Sequence, residues 1–261
     1  MSSSSRDILE QGHYARKQIF SRNRIVGWSH RRRFAVAREL VHHQAGGALL
    51  DYGCGDGTFI ALSHDLFRMS LGADVDPGQV RDCAERFAPI TDVRFATTDA
   101  LRAPDHDDSY DAVVCMEVLE HCPSDVQPVV LEDLARLSRP GGTVVISVPI
   151  EVGPTLAVKQ LVRAAAAASG LSEYAGRERY RPSEFLRMVL ADERAEIERP
   201  AWTGIAAGGV PFRFHGHKGF NWRRLERLIA RVFTIERRDY SPVRATGAFL
   251  NSQVWFVCRR R

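Results

Sequence analysis

The sequence predicts an α/β protein built on a doubly wound, mainly parallel seven-stranded sheet, with a helical insertion after the fifth strand. Two observations predict the sheet and one the insertion. Short apolar runs alternate with segments of helical period, which implies parallel strands joined by right-handed helical crossovers. The first run, Ala48–Tyr52, opens into glycines at 53, 55 and 57, the look of a buried strand feeding a turn. Between residues 150 and 218 the alternation stops, and it resumes with a helix and two strands.

The elements follow in chain order. Residues 14–43 read as helical, with Ile19, Ile25, Val26, Phe34, Ala37, Leu40 and Val41 in a rough 3.6 period, and Gly46-Gly47 ends the segment. A helix is expected over Thr58–Phe67, a second strand at Leu71–Asp74, and a helix opened by Pro77, where a missing N–H costs nothing. Strands are expected at Val93–Thr97, Tyr110–Cys115 and Thr143–Val148, with a helix over Ser124–Leu137 and a turn at Arg139–Gly142. Within the insertion, Leu156–Ala164 and Pro182–Leu190 have helical character, and Gly204–Gly219 is rich in turn residues. Trp222–Phe233 reads as a helix, and Thr234–Tyr240 and Ser252–Arg259 as the last strands. The implied organisation is a basic helical segment (1–45), an α/β core (46–149), an insertion (150–218) and the end of the sheet (219–261).

Composition excludes several classes. A chain of 261 residues with 44% hydrophobic and 26% charged residues has the material for one sizeable core and is not disordered, collagenous or disulfide-stapled. No stretch approaches the roughly 18 apolar residues of a spanning helix. The start has no apolar signal region, and the five cysteines form no C-x-x-C pair. These features give the cytoplasm as the expected location. The net charge of +4 invites a nucleic-acid reading, but 33 of the 36 basic residues are Arg, a ratio that points to a GC-rich genome rather than to phosphate contacts. Residues 1–38 do concentrate basic side chains (Arg6, Arg16, Lys17, Arg22, Arg24, Arg31, Arg32, Arg33 and Arg38), which suits either a solvated helix or an acidic partner.

The chemistry concentrates at strand ends. Gly53, Gly55 and Gly57 lie where open α/β sheets bind ligands, and a loop without Cβ atoms lets the backbone approach one closely. The spacing is G-x-G-x-G with Thr58 in place of a dinucleotide motif's third glycine. Asp51 and Asp56 beside the turn suit an ammonium-bearing ligand better than a phosphate. Asp74, at the end of the second strand, can accept from both ribose hydroxyls, with Asp76 as the neighbouring alternative and the better helix cap. Asp99 after the third strand is an acceptor for an adenine amino group or a plain turn residue.

These blocks, with Thr98-Asp99-Ala100, Tyr110–His121 and Leu137–Gly142 in order, resemble the class I S-adenosylmethionine-dependent methyltransferases, in the branch containing ubiquinone-biosynthesis O-methyltransferases. The resemblance implies S-adenosyl-L-methionine as cofactor. Gly53, Gly55 and Gly57 would line its methionine part with Asp51 nearby, Asp74 would hold the ribose, Asp99 the adenine edge, and Met116 would contact it beyond the fourth strand. Arg33 stands where related enzymes place an arginine near the cofactor, although Arg31 and Arg32 compete for that register. Members of the ubiquinone branch use a Glu-x-x-Glu-His trio to coordinate a cation. Here Glu117, Glu120 and His121 would share a helical face, but structural hydrogen bonding is the favoured reading and no metal is assigned. His121 is the candidate catalytic base, with His215 and His217 as alternatives. The expected acceptor is a small molecule methylated on oxygen. An RNA substrate approached through the basic segment and a non-catalytic cofactor-binding scaffold are the alternatives. A nucleic acid is disfavoured by the absence of an Asn/Asp-Pro-Pro-Tyr motif after strand four and of a Pro-Cys nucleophile. Residues 155–169 could touch a membrane surface. The oligomeric state stays open.

Overall fold

The computed structural model describes residues 3–21, 23–168, 180–205 and 211–261. Its main sheet holds β1 (Ala48–Tyr52), β2 (Met69–Asp74), β3 (Val93–Thr97), β4 (Tyr110–Met116), β5 (Ser138–Pro149), β8 (Phe233–Ser241) and β9 (Gln253–Arg260). The strand order is β3-β2-β1-β4-β5-β9-β8. Pairing is parallel from β3 to β5, while β9 runs antiparallel to both its neighbours. The expected seven-stranded, mainly parallel sheet is present.

The central strands carry apolar side chains to both faces because both faces are covered. On one face, α5 (Val126–Leu137) and α8 (Trp222–Val232) press Leu131, Leu134, Leu225 and Ile229 against Leu50, Val113, Ile146 and Phe256. On the other, α1 (Ser3–Gln11), α2 (Arg24–Val41) and α3 (Thr58–Ser63) bring Ile8, Phe34, Leu40 and Phe59 onto Leu49, Val114 and Trp255. α4 (Pro77–Arg86) begins as expected. Pro77 occupies the first turn, and the Asp76 side chain caps the helix by accepting from Gly78 N at 2.8 Å.

The expected single helix over 14–43 is corrected to a π-helical turn (Ala15–Ile19), α2 and a short 3₁₀ turn (His42–Gln44). Asn23 breaks the run by accepting from Val26 N at 3.3 Å as the cap of α2. The end of the π turn is satisfied by Arg31, whose guanidinium donates to Ile19 O at 2.8 Å. The Ser-rich leader also forms α1, with Ile8 and Leu9 buried. Arg22 lies outside the described residues. The expected turn at Arg139–Gly142 is instead an irregular part of β5, where the register with β4 shifts.

The insertion is not purely helical. It holds α6 (Pro154–Ala168), α7 (Pro182–Val189) and an antiparallel hairpin of β6 (Ala201–Ile205) and β7 (Pro211–His215). Turn composition concealed that hairpin, and residues 206–210 of the expected turn-rich stretch lie outside the described residues. Its aromatics stack on one another, with ring centroids 6.1 Å apart for Trp202–Phe214 and 5.6 Å for Phe212–Phe214. Phe220, which follows the hairpin, belongs to the core. No described helix is long and apolar enough to cross a membrane. Lys159 of α6 turns inward, donating to Ile150 O at 2.6 Å and to Glu151 at 3.0 Å, and so does not face a lipid surface.

Candidate active site

The strand order reverses between β1 and β4, and ligands of open α/β sheets bind outside the strand ends at such a point. The segments leaving these two strands form the candidate site.

After β1 the chain needs left-handed backbone at three positions, and glycine supplies it without strain: φ is +79° at Gly53, +52° at Gly55 and +73° at Gly57. Two backbone bonds tie the loop to β2, from Gly53 N and Cys54 N to Ala73 O at 2.7 and 3.0 Å. The three glycines have different surroundings. A Cβ on Gly53 would sit 2.3 Å from Val118 Cγ2 and one on Gly57 2.9 Å from Phe87, whereas one on Gly55 would meet nothing within 4 Å. Gly53 and Gly57 thus serve packing, and Gly55 faces open space.

Carboxylates surround this loop. Asp74 accepts from Gly55 N at 2.9 Å with one oxygen and from Asp76 N at 3.0 Å with the other. Asp51 is buried, and its Oδ2 has no hydrogen-bond partner. Burial, reinforced by the charges of Asp74 and Asp56, pushes its carboxyl up to about 8. Asp56, the second carboxylate beside the turn, is hydrogen-bonded within the chain. Its oxygens accept from Thr58 N, Thr58 Oγ1 and Tyr14 N at 3.2, 2.6 and 2.7 Å, clamping the N-terminal segment onto the loop. An open glycine and an orphaned buried carboxylate fit a ligand that approaches backbone closely and brings a cationic group.

After β4, Met116 ends the strand and Glu117 takes φ +56°. Residues 117–121 form turns rather than the helical turn expected, so Glu117 leaves the face of Glu120 and His121. Its Oε1 accepts from Gln253 Nε2 at 2.7 Å and its Oε2 lies 3.6 Å from the Arg33 guanidinium. Arg33 also donates to Gln253 Oε1 at 2.8 Å and to the Tyr14 hydroxyl at 3.1 Å. Of the three arginines, Arg33 thus stands beside Glu117 and Gln253, while Arg31 donates to the end of the π turn. Tyr14 OH meets His30 Nδ1 at 2.8 Å. Burial and then Arg33 lower His30 to about 4, so its imidazole is neutral near pH 7.

Glu120 is fully buried, and neither carboxylate oxygen has a hydrogen-bond partner. Burial raises its pKa well above the ordinary carboxylate value. His121 donates from Nδ1 to His215 O at 2.7 Å, which leaves Nε2 as the basic atom, 3.7 Å from Glu120 Oε1. Burial lowers the His121 pKa. The end of the insertion supplies His217, whose Nε2 is 3.8 Å from the same Glu120 oxygen and whose ring centroid is 5.0 Å from that of His121. His215 turns elsewhere, its Nδ1 2.9 Å from Pro200 O.

The expected residues therefore fall into groups. Asp51, Gly53, Gly55, Gly57 and Asp74 surround the first loop; Met116 and Arg33 stand at or beside the end of β4; His121 lies just beyond it. Asp99 is 81% exposed on the 3₁₀ turn after β3, 3.4 Å from Arg102. Sequence reasoning missed Tyr14, Gln253, His30 and Arg199. A tyrosine just before a basic helix was a weak signal for the first, and no local signal marks the others.

The order of the sheet and the glycine loop at its switch point are those of an open α/β ligand-binding sheet. Residues 49–142 match the methyltransferase domain family. A probable S-adenosylmethionine-dependent methyltransferase of Mycolicibacterium smegmatis is 35% identical over 119 residues, 46% of this chain and 44% of that protein. The 27-O-demethylrifamycin SV methyltransferase of Amycolatopsis mediterranei is 31% identical over 176 residues, 62% of each chain. Among solved structures, the N-methyltransferase NodS of Bradyrhizobium japonicum WM9 in complex with S-adenosyl-L-homocysteine aligns over 99% of both chains with a TM-score of 0.57 at 14% identity, a likeness of fold. The chain carries a class I S-adenosylmethionine-dependent methyltransferase domain. It spans less than half the length of the first curated relatives it matches, 44% and 42%.

Proposed function

We propose that this protein transfers a methyl group from S-adenosylmethionine to an oxygen of a small molecule. The observation that carries the reading is the glycine loop at the β1–β4 switch point, with Gly55 open and the unpartnered Asp51 oxygen beside it. When bound, S-adenosylmethionine supplies a sulfonium methyl open to in-line displacement. Gly55 lets the backbone approach the methionine part, Asp51 receives its ammonium group, and Asp74 accepts from the ribose hydroxyls with the lone pairs its two backbone bonds leave. Asp99 meets the adenine edge and Met116 closes the cleft beyond β4. Arg33, fixed by Tyr14, Gln253 and Glu117, positions the N-terminal segment beside that cleft.

His121 is the proposed base. Its Nδ1–H is committed to His215 O, so Nε2 can take a proton from an acceptor hydroxyl. The insertion 150–218 is the proposed substrate lid, and β7 ties it to the site through His215 N to His121 O at 3.0 Å. The Amycolatopsis relative, whose name specifies an oxygen acceptor, supports O-transfer. The RNA alternative is weakened because several basic side chains are engaged within the protein. Arg38 donates to Leu62 O and pairs with Asp65, and Arg31 and Arg33 are held as described. The free cysteines support a reducing compartment such as the cytoplasm.

The test is incubation with methyl-labelled S-adenosylmethionine and fractionated host extract. Label in small metabolites, released by the chemistry of a methyl ether or ester, is the expected result. Label confined to RNA, or absent although the cofactor binds, would overturn the reading.

A further inference from the structure

We propose that Glu120, His121 and His217 form a binding site for one divalent transition cation of the zinc type. The first observation is geometric. One ligand atom from each of these residues lies within 4.8 Å of the other two, and Glu120 Oε1 is 3.7 Å from His121 Nε2 and 3.8 Å from His217 Nε2. Tetrahedral bonds of about 2.0–2.2 Å place donor atoms roughly 3.3–3.6 Å apart, so those two separations need to close by only a few tenths of an ångström.

The second observation is independent of the first. Glu120 is fully buried, and both its oxygens lack a partner. A buried carboxylate without a hydrogen bond is costly, and such groups are ordinarily paired or bound to a metal. No neighbouring cation among the described residues bonds to it. Arg199 donates from one terminal nitrogen to the carbonyl oxygens of Glu120 and Gly216, and its buried Nε has no hydrogen-bond partner, so it makes no bond to the carboxylate. The described histidines do not bond to it either, since both Nε2 atoms stand beyond hydrogen-bond distance from Glu120 Oε1.

The outer shell is also in place. His121 Nδ1 donates to a backbone carbonyl, which fixes the tautomer with Nε2 free to ligate, the usual support for a metal-bound imidazole. Two imidazoles and one carboxylate are a donor set suited to zinc and its neighbours, and three protein ligands leave a fourth position open. The ligand set differs from the Glu117–Glu120–His121 trio suggested by spacing. Glu117 is diverted to Gln253 and Arg33, and the insertion supplies His217 in its place. The inference rests on the acceptor-site reading in one respect. A bound cation would occupy the Nε2 lone pair, so in the metal-bound protein His121 is a ligand and not the base; an acceptor hydroxyl at the open position would instead release its proton to solvent, its acidity raised by the cation.

The test uses the full chain stripped of metal by chelator, then titrated with Co²⁺ alone and followed by the visible absorption of a low-coordinate cobalt centre. One equivalent should bind, and Zn²⁺ should displace it. Glu120→Gln and His217→Gln should each weaken Co²⁺ binding about 100-fold or more, while His215→Gln, whose side chain faces Pro200, should leave it unchanged. Absence of the absorption in the wild type, or affinity unchanged in both ligand variants, would overturn the proposal. Calorimetry with S-adenosylmethionine on the same samples keeps the two readings separate, since cofactor binding without cobalt binding removes the metal site alone. Far-ultraviolet circular dichroism confirms folding, and His217→Ala serves if His217→Gln is unstable.

Discussion

The loops that leave β1 and β4 stand side by side at the same end of the sheet, yet they are built on opposite principles. The β1 loop works through its backbone. Its glycines adopt left-handed conformations, its N–H groups are bonded to Ala73 and Asp74, and its chemistry is largely that of an exposed main chain. The β4 loop works through side chains whose partners come from far along the chain. Gln253 lies 136 residues from Glu117, and the His215 carbonyl that orients His121 is 94 residues away. A backbone device is fixed locally, whereas a side-chain device depends on packing of the whole insertion and of β9.

The largest expected effect separates packing from binding within the β1 loop. Gly53→Val drives a Cβ into Val118 and forces a β-branched residue to positive φ, so it should cost about 2–5 kcal/mol of stability and abolish cofactor binding together. Gly55→Val should cost only about 1–2 kcal/mol, because its Cβ has room, yet lose cofactor affinity by filling that room. Thermal melting beside titration calorimetry checks both. Equal loss of stability in the two variants would erase the distinction.

Asp74→Ala should weaken S-adenosylmethionine binding about 10–150-fold, the equivalent of about 1.5–3 kcal/mol. Asp76→Ala, which removes the cap of α4, should instead lower stability by about 1 kcal/mol and leave affinity nearly unchanged. The reverse ranking by calorimetry would mean that the wrong carboxylate has been given the ribose.

Both loops hold a buried acid whose pKa is raised, and this gives a pH signature. Folding stabilises the protonated form of Asp51, so that contribution is fully present below its ordinary value of 3.8 and is lost as pH rises through about 8. Glu120 acts in the same direction. The Tm of the unliganded protein should fall between about pH 6.5 and pH 8, above the range in which the lowered pKa values of His30 and His121 act in the opposite sense, at about 2–4 °C for each kcal/mol. Asp51→Asn should flatten that fall. If Asp51 receives the ammonium group, cofactor affinity should also rise with pH as it ionises. A wild-type Tm independent of pH would remove the assignment of these groups as buried acids.

The smallest effect concerns Asp99. At 81% exposure, beside Arg102, its replacement by Ala should reduce cofactor affinity by less than about 10-fold, the worth of one hydrogen bond. A loss matching that of Asp74→Ala would place the adenine edge more firmly on Asp99 than its exposure suggests.

What the sequence determined by itself was whatever depends on near neighbours. The strands of the main sheet, the Pro77 start of α4 and its Asp76 cap are set by side-chain period, ring geometry and a bond two residues long. The glycine loop and the placing of Asp74 beside it belong to the same class, since a strand, a turn and a second strand bring them together within one βαβ unit. Only the tertiary structure decided the rest. The helix expected over 14–43 broke because Asn23 and Arg31 found better backbone partners. The grouping of Glu117, Glu120 and His121 on one helical face does not form: a left-handed residue turns Glu117 toward β9, and His217, two residues past β7, comes beside Glu120 and His121 instead. Such contacts join residues about a hundred positions apart, and no spacing along the chain records them, because they arise from how separately formed elements pack together.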